Sequence, residues 1–584
     1  MGEYGYKIKN IEAATLLEYQ WGTRTHYEYK DALFVNSLFN DYLTENGLET
    51  NGESTRDLIC LEFNYGTRSY EQEIEHLYKI SAANNRALKA ALAKKDKHLI
   101  KKYSAKKEKI NDLVEAAYKN KDNYHPISIN KLREKMYQEG CDVTYTINDR
   151  LHRKFEKWTV HYKMLFRSTN KAKKGTVIFC AERLYDDAIN FLRMGIQLPE
   201  HDVDIVGISA YSPLVASGIE GRVKINPRNI LILEDVDRFF KTNVISIETD
   251  ENRHCYAKRI SDYDLMNELF DGQALIDTSI FPEWASGYIL LRHHFCKMAA
   301  FHANMQLFFQ DWCRENGQDY ETYTVNDMWG NPHRLKDVEL LTTVNAVKWV
   351  KYGVTYDYWC RWVEANGCTF GVVKHSHPSK IHPYQKMSYQ MANSLSEEIM
   401  ESAAAESTAY VQKLKNDTDV FHNYLRKNSN FANDYDVLLA LCEYNPDFIY
   451  SAYYKERKSN IIASYMLRLK SGEIIQYADN LTIVGSPYAM LLYGASGEES
   501  AVDADDTLLF EHGTIQCYTS KFEDGEYLAG FRSPFNGKYN MSYLHNHYDE
   551  RMEKYFNFVP QIIAVNMIGT DYQDRNNGSD QDWV

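Results

Sequence analysis

The stretch NILILEDVD, residues 229–237, sets four aliphatic side chains in an unbroken row between an asparagine and a pair of acids. A row that short, partly β-branched and closed by turn-forming residues, reads as a β-strand. Its neighbours read the same way: GTVIFCAE at 175–182, DIVGIS at 204–209 and NVISIET at 243–249. Strand-type sequence continues to about residue 395, with one helix expected near Asp262–Phe270. SLSEEIMESAAAESTAYVQKLKND (394–417) and DYDVLLALCEY (434–444) then carry helical spacing, which makes 396–475 a helical connector. From EIIQYADNLTIVGSPYAMLL (473–492) the strand character returns and holds through 476–584.

Upstream, residues 71–170 are helical and basic. NNRALKAALAKKDKHLIKKYSAKKEKINDLVEAAYKNK (84–121) threads Leu88, Leu92, Leu99 and Ile110 among lysines, either a solvated helical face or a nucleic-acid contact. Residues 1–70 mix alternating pieces such as DLICLEF (57–63) with turn chemistry such as ENGLETNGES (45–54). The expected fold class is α+β: two strand-rich blocks, 171–395 and 476–584, joined by the connector 396–475 and preceded by a strand-and-loop region, 1–70, and a basic helical region, 71–170.

A chain of 584 residues is long enough for several domains, and 44% hydrophobic with 25% charged residues is ordinary for a globular protein. The formal charge of -14 argues against a protein that coats nucleic acid, but leaves room for an acidic enzyme with a local basic channel. The 45 tyrosines offer either base-stacking faces or plain core and surface filling. The ten cysteines are scattered without a CxxC pair, so neither a disulfide framework nor a zinc ribbon is signalled, and a reducing cytoplasm fits. No apolar run approaches the roughly 20 residues of a membrane span, and MGEYGYKIKN lacks a signal-peptide core, so a soluble cytoplasmic protein with no membrane partner is expected.

Three pieces carry chemistry: DGQALIDTS (271–279) with RHHFCKMAAFH (292–302), FRSPFNGKYN (531–540), and the terminal NNGSDQDWV (576–584). Asp580 and Asp582 are two apart, so on an extended backbone both carboxylates leave from one side, a pattern that suits Mg²⁺ as well as it suits a frayed acidic tail. Arg532 stands between two aromatics beside Pro534, which fixes the local backbone; its guanidinium can fork onto a sugar hydroxyl or phosphate, or form a structural salt bridge. Lys297 lies in the apolar run LLRHHFCKMAAFHANMQLFF (290–309), where it either snorkels to the surface or meets phosphates in a cleft. His375 and His377 of HSHP, and His293 and His294, read as polar surface and as packing at a barrel mouth.

In this order the pieces resemble the two-barrel RNA polymerases: the multisubunit DNA-dependent enzymes and, closer in layout, single-chain relatives that include RNA-silencing RNA-dependent RNA polymerases and polymerase-like proteins of phages and mobile elements. The resemblance covers about residues 200–584 and implies two double-psi β-barrels. Asp271–Ser279 looks like the Asp-Gly stretch that opens the lysine barrel, and Lys297 like its phosphate-contacting lysine. LTTVNAVKW (341–349) with Lys348 and FGVVKHSHPSK (370–380) with Lys374 look like later parts of that barrel, which makes Lys374 a second phosphate lysine. Arg532 and Pro534 match the Arg-x-Pro element, implying a sugar or template role for Arg532. Asp580 and Asp582 match the first two aspartates of the metal loop, with Asn577 and Gly578 in the turn leading to them.

The implied activity is templated RNA synthesis from ribonucleoside triphosphates by two-metal catalysis with Mg²⁺, on a DNA or RNA template. The sequence departs from the family where a third aspartate is expected: position 584 is Val584, preceded by Trp583. Three accounts follow as expectations: a second chain completes the active site; the polymerase has decayed; or the α-carboxylate of Val584 replaces the lost side chain. The alternative function is a non-catalytic scaffold that binds nucleic acid or a partner polymerase chain.

Overall fold

The computed structural model describes residues 5–149, 154–167, 177–197, 204–387, 396–430, 433–532, 535 and 537–579. Its backbone divides into two units, Met1–Ile219 and Glu220–Val584. In the first, the apolar stretch Leu58–Leu61 makes Ser54–Glu62 a central strand, and the sheet runs Tyr29–Val35, Gly5–Glu12, Ser54–Glu62, Val177–Ala181, Lys154–Arg167, Cys141–Asp149. Gly5–Glu12 lies parallel to Ser54–Glu62, and the other neighbours along this order are antiparallel. Ile11, Leu16, Ile59, Leu61, Tyr162 and Phe179 form its core.

The helices Tyr70–Ala93 and Lys97–Lys119 start where side chains satisfy their first N–H groups: Ser69 and Gln72 form a capping box, and Asp96 accepts from Leu99 N. Leu77, Asn84 and Ala91 are buried on one helix and Ile110 and Ala117 on the other. A spacing of seven keeps one narrow stripe facing the partner helix and leaves the rest in water, so Lys101, Lys102, Lys106 and Lys107 are exposed.

The second unit holds two mixed sheets. The first has seven strands in the order Gly221–Lys224, Thr369–His375, Tyr288–His293, Cys296–Ala303, Gln273–Asp277, Leu340–Thr343, Ile230–Leu233. In the second, Thr482–Gly485, Ile562–Val565, Thr514–Tyr518, Met541–Asn546 and Tyr527–Phe531 follow one another, with Phe510–Glu511 on Thr514–Tyr518. Parallel pairs occur in both, Gln273–Asp277 with Cys296–Ala303 and Thr482–Gly485 with Ile562–Val565. The two sheets share one core, in which Leu275, Phe301 and Leu341 of the first meet Val484, Cys517, Leu544 and Ala564 of the second. Between them in sequence, Met400–Asn416, Thr418–Asn428, Tyr435–Tyr444 and Ala452–Lys470 form a helical bundle around Leu414, Phe421, Leu425 and Leu438. The chain is thus mixed α+β, with the helices expected at 394–417 and 434–444 in place.

Several local expectations differ from the structure: helices Ala13–Gln20 and Leu38–Glu45 interrupt the region expected as strand and loop, Met305–Glu315 and Tyr356–Ala365 lie in the first strand block, and Pro487–Ser496 is helix in a stretch read as strand. The helix expected near Asp262–Phe270 is strand: Cys255–Glu268 pairs antiparallel with Asp237–Thr249, and Asp264 sits opposite Lys241. DIVGIS lies instead in the helix Ile205–Tyr211, because Asp204 accepts from Gly207 N at 2.8 Å and caps its start. The basic helical region ends earlier than expected, since Cys141–Asp149 and Lys154–Arg167 pair as a hairpin. The strand Val177–Ala181, expected to open the first strand block, sits in the N-terminal sheet between Ser54–Glu62 and Lys154–Arg167.

Candidate active site

Lys297 lies on Cys296–Ala303 directly opposite Arg292. Alternation along a strand puts residues two apart on one face. Ala299 and Phe301 belong to the shared core, so Lys297 and Arg292 leave on the face turned to the second sheet, at the rim of that core. Ala299 N donates to Gly272 O at 2.9 Å, which fixes this end of the strand beside the Asp271–Gly272 turn. Gly272 adopts φ +74°, a conformation that favours glycine. Lys348 N donates to Phe295 O at 2.7 Å, and the Lys348 ammonium stands 4.0 Å from the Asp271 carboxylate. Lys297, Lys348 and Asp271 therefore gather at one end of the sheet.

Acids crowd the same end. Burial raises the Glu268 pKa, and the neighbouring carboxylates Asp271 and Asp235 raise it further. Asp235 is pushed up by burial, while Thr343 Oγ1 at 2.8 Å and Asn345 Nδ2 at 2.9 Å donate to it and favour its charge.

From the other sheet, the strand Tyr527–Phe531 delivers Arg532, whose Nη1 donates to Asn576 O at 3.1 Å. The buried Asn540 donates through Nδ2 to Arg575 O at 2.6 Å and to Asn577 Oδ1 at 3.2 Å. Gly578 N closes the turn onto Gln573 O at 2.8 Å, with Asn577 and Gly578 both left-handed at φ +58° and +62°. Asn and Gly are the residues that tolerate consecutive left-handed positions. Burial raises the pKa of Asp574, and Asp571 adds to it.

Three buried amides tie the stem of this turn to the hairpin strand Cys255–Glu268 and the second sheet to the first. Asn267 Nδ2 donates to Met567 O at 2.9 Å and Thr570 O at 2.7 Å, and Gln573 Nε2 donates to Glu268 O at 2.5 Å. Gln273 Nε2 donates to Gly485 O at 3.0 Å while its Oε1 accepts from Gly485 N at 2.8 Å. The stem of the 576–579 turn is thereby pinned a few residues from Asp271.

Arg532, Asn577 and Gly578 are thus brought together, and their stem is tied to the end of the strand Cys255–Glu268, three residues before Asp271. Lys374 is not. It occupies a β-bulge, since Leu291 pairs Val372 while Ile289 pairs His375, leaving one extra residue on its strand. It lies three residues beyond Gly371, the partner of Arg292, roughly 10 Å along the strands, and lines a cavity with residues of the helical bundle. His293 and His294 are buried, and burial pushes the His293 pKa down.

Asp580, Asp582 and Pro534, like Trp583 and Val584, lie outside the described residues. Among the described residues no three His, Cys, Asp or Glu side chains gather as a cation site. What is described is the stem: Ser579, next to Asp580 in sequence, is buried, and its Oγ has no hydrogen-bond partner among the described residues. Sequence reasoning singled out Arg532 and the 577–578 turn but not Asn267, Gln273, Asn540 and Gln573, whose hydrogen bonds hold the strands around that turn. A single amide carries no signal until the carbonyl it serves is known.

No helix among the described residues is long and apolar enough to cross a membrane, and all ten cysteines are free thiols. No protein-family profile matches the chain, and no curated protein does. Among solved structures, the RNA dependent RNA polymerase QDE-1 from Thielavia terrestris is similar at 13% identity and a TM-score of 0.39, over 72% of this chain. The chain spans 44% of the length of that polymerase.

Proposed function

We propose that the second unit is the core of an RNA polymerase-like nucleotidyltransferase of the two-barrel type, which joins ribonucleoside triphosphates on a nucleic-acid template. The observation that carries this is the Arg532 contact. The Arg-x-Pro element and the Asn-Gly turn before Asp580 are 44 residues apart in sequence, yet the guanidinium donates to the turn's own carbonyl. The two elements that the resemblance assigns to one site are thus neighbours, while Lys348 meets Asp271, three residues beyond the Glu268 carbonyl that Gln573 bonds.

On this reading Lys297, with Lys348 near it, neutralises charge on the triphosphate, a fixed ammonium near a developing anion being worth more in a partly dry cleft than in water. Arg532 and Asn540 hold the turn that leads to Asp580 and Asp582, the residues that would hold Mg²⁺. When bound, Mg²⁺ supplies Lewis acidity toward the phosphates and the attacking hydroxyl. Asp271 keeps the Lys348 ammonium oriented by its charge.

The test is Mg²⁺-dependent incorporation of labelled ribonucleotides on single-stranded DNA and RNA templates. Asp580→Ala and Lys297→Ala are each expected to lower incorporation about a hundredfold or more. Incorporation that survives both substitutions overturns the assignment, and a wild-type chain that binds template without incorporating nucleotide points to a scaffold instead.

A further inference from the structure

On the far side of the first sheet's bulge, the segment following Thr369–His375 and the helical bundle enclose a cavity of about 250 Å³. Lys374, Lys380 and Lys386 line it from the strand and loop, and Tyr410, Tyr424 and Tyr465 from the helices. It is distinct from the Lys297 end of the sheet and plays no part in the proposed synthesis.

Its polarity is one-sided. Lys386 Nζ lies 5.2 Å from the centre of the Tyr465 ring, and Arg468, whose Nη2 donates to Tyr424 Oη at 3.2 Å, lies over the same ring at 5.9 Å. Burial lowers the Lys386 pKa, and Arg468 lowers it further, against the pull of Glu473; burial also lowers that of Lys374, against the pull of Glu220. One carboxylate, Asp479, lines the cavity, and it is engaged by Lys521. Crowded, partly desolvated cations of one sign are electrostatically unfavourable unless an anion joins them.

Two buried hydroxyls of the lining lack partners. Tyr465 is 1% exposed and Ser376 4%, both line the cavity, and neither Tyr465 Oη nor Ser376 Oγ has a hydrogen-bond partner among the described residues. Buried hydroxyls without partners are rare, and each one calls for a missing acceptor or donor. A group that satisfies hydroxyl donors and ammoniums together must carry several acceptor oxygens and negative charge. Phosphate does both.

We propose that this cavity binds a phosphate-bearing small molecule, its phosphate held by Lys374 and Lys386 with the Tyr465 and Ser376 hydroxyls. The cavity is below the roughly 300–1,000 Å³ of sites for drug-sized ligands, so the ligand is of the order of a free phosphate or a small phosphomonoester, with any ring lying against the tyrosines.

Titration calorimetry of the full chain with inorganic phosphate, pyrophosphate and adenosine monophosphate tests this. Saturable binding of at least one probe is expected, weakened about tenfold by Lys386→Gln and by Lys374→Gln and unchanged by Lys258→Gln on the exposed hairpin. Tyr465→Phe keeps the ring and removes only the orphaned hydroxyl. It is expected to fold at least as stably as the parent and to show a smaller phosphate-induced rise in Tm. Preference for the monophosphate identifies a phosphomonoester site, and equal binding of inorganic phosphate a free-phosphate site. Absence of binding for all three probes at millimolar concentration, or binding indifferent to Lys386→Gln and Tyr465→Phe, overturns the proposal.

Discussion

Replacing Gln273 by leucine removes one side-chain amide that stands in for a β-strand. Thr482–Gly485 is the edge strand of the second sheet, and the Gly485 N–H and C=O that turn away from Ile562–Val565 meet the Gln273 amide. Gln273 is fully buried, so water does not reach the vacated groups. Leaving one buried backbone group unsatisfied costs about 1–3 kcal/mol, and two such groups make the expected loss about 2–6 kcal/mol. Leucine is of similar size, and the apolar surface it buries offsets part of this. Hydrogen exchange followed by mass spectrometry on a peptide spanning residues 482–490 reads the opening free energy locally, which matters in a chain of two units that need not unfold together. The exchange rate of Gly485 is expected to rise steeply, while peptides of the N-terminal sheet stay unchanged. Gln273→Glu adds a control with a sign: ionised, it still accepts from Gly485 N but faces the Gly485 carbonyl with negative charge, so it is expected to be at least as destabilising at neutral pH and to recover when protonated. A loss below about 1 kcal/mol in Gln273→Leu, with Gly485 protection intact, refutes the claim that this amide joins the two sheets.

Two further outcomes follow from single contacts. Asn540→Leu leaves Arg575 O without its 2.6 Å donor, and is expected to cost about 1–3 kcal/mol, to speed exchange in residues 570–579, and to reduce nucleotide incorporation without altering template binding. His302, stacked on Phe281 with ring centres 3.9 Å apart, has its pKa lowered to about 4 by burial, with Asp277 opposing. A base depressed in the fold binds fewer protons there than in the unfolded chain, so its contribution is fully present above pH 6.5 and is lost as pH falls from 6.5 through about 4. His302→Gln is expected to flatten the fall of the denaturation midpoint across that window, and an unchanged slope removes His302 as a source.

How much of this was legible in the sequence depended on how far each residue's partner lies along the chain. NILIL is strand in both readings because its own composition decides the matter, and Ile230–Leu233 is buried throughout. DYDLMNELF misled because Leu265, Met266, Leu269 and Phe270 fall at helical spacing. Its strand is imposed by pairing with Asp237–Thr249, and Cys255–Glu268 is exposed along most of its length, so burial leaves little period-two trace in its own sequence. DIVGIS failed the other way: three β-branched residues suggested a strand, yet the Asp204 cap makes a helix with Ile205 and Val206 in solvent. At the candidate site the charged residues were visible because a buried or motif-bound charge is rare enough to notice. The amides that position them were not, since Asn267, Gln273 and Gln573 serve carbonyls 212 to 305 residues away.

That asymmetry has a functional consequence. If catalysis depended only on the residues a motif records, a chain keeping Lys297, Arg532 and the Asn577–Gly578 turn would keep the site. Here neutral amides fix the stem of the 576–579 turn and the strands beside it, each satisfying one or two buried backbone groups. Displacing a metal ligand by about 0.5 Å is enough to spoil its geometry. Substitutions at Asn267, Gln273 and Asn540 are therefore expected to impair synthesis while leaving every motif residue intact, and a chain bearing all three that still incorporates nucleotides at the parental rate would separate this site from the chemistry proposed for it.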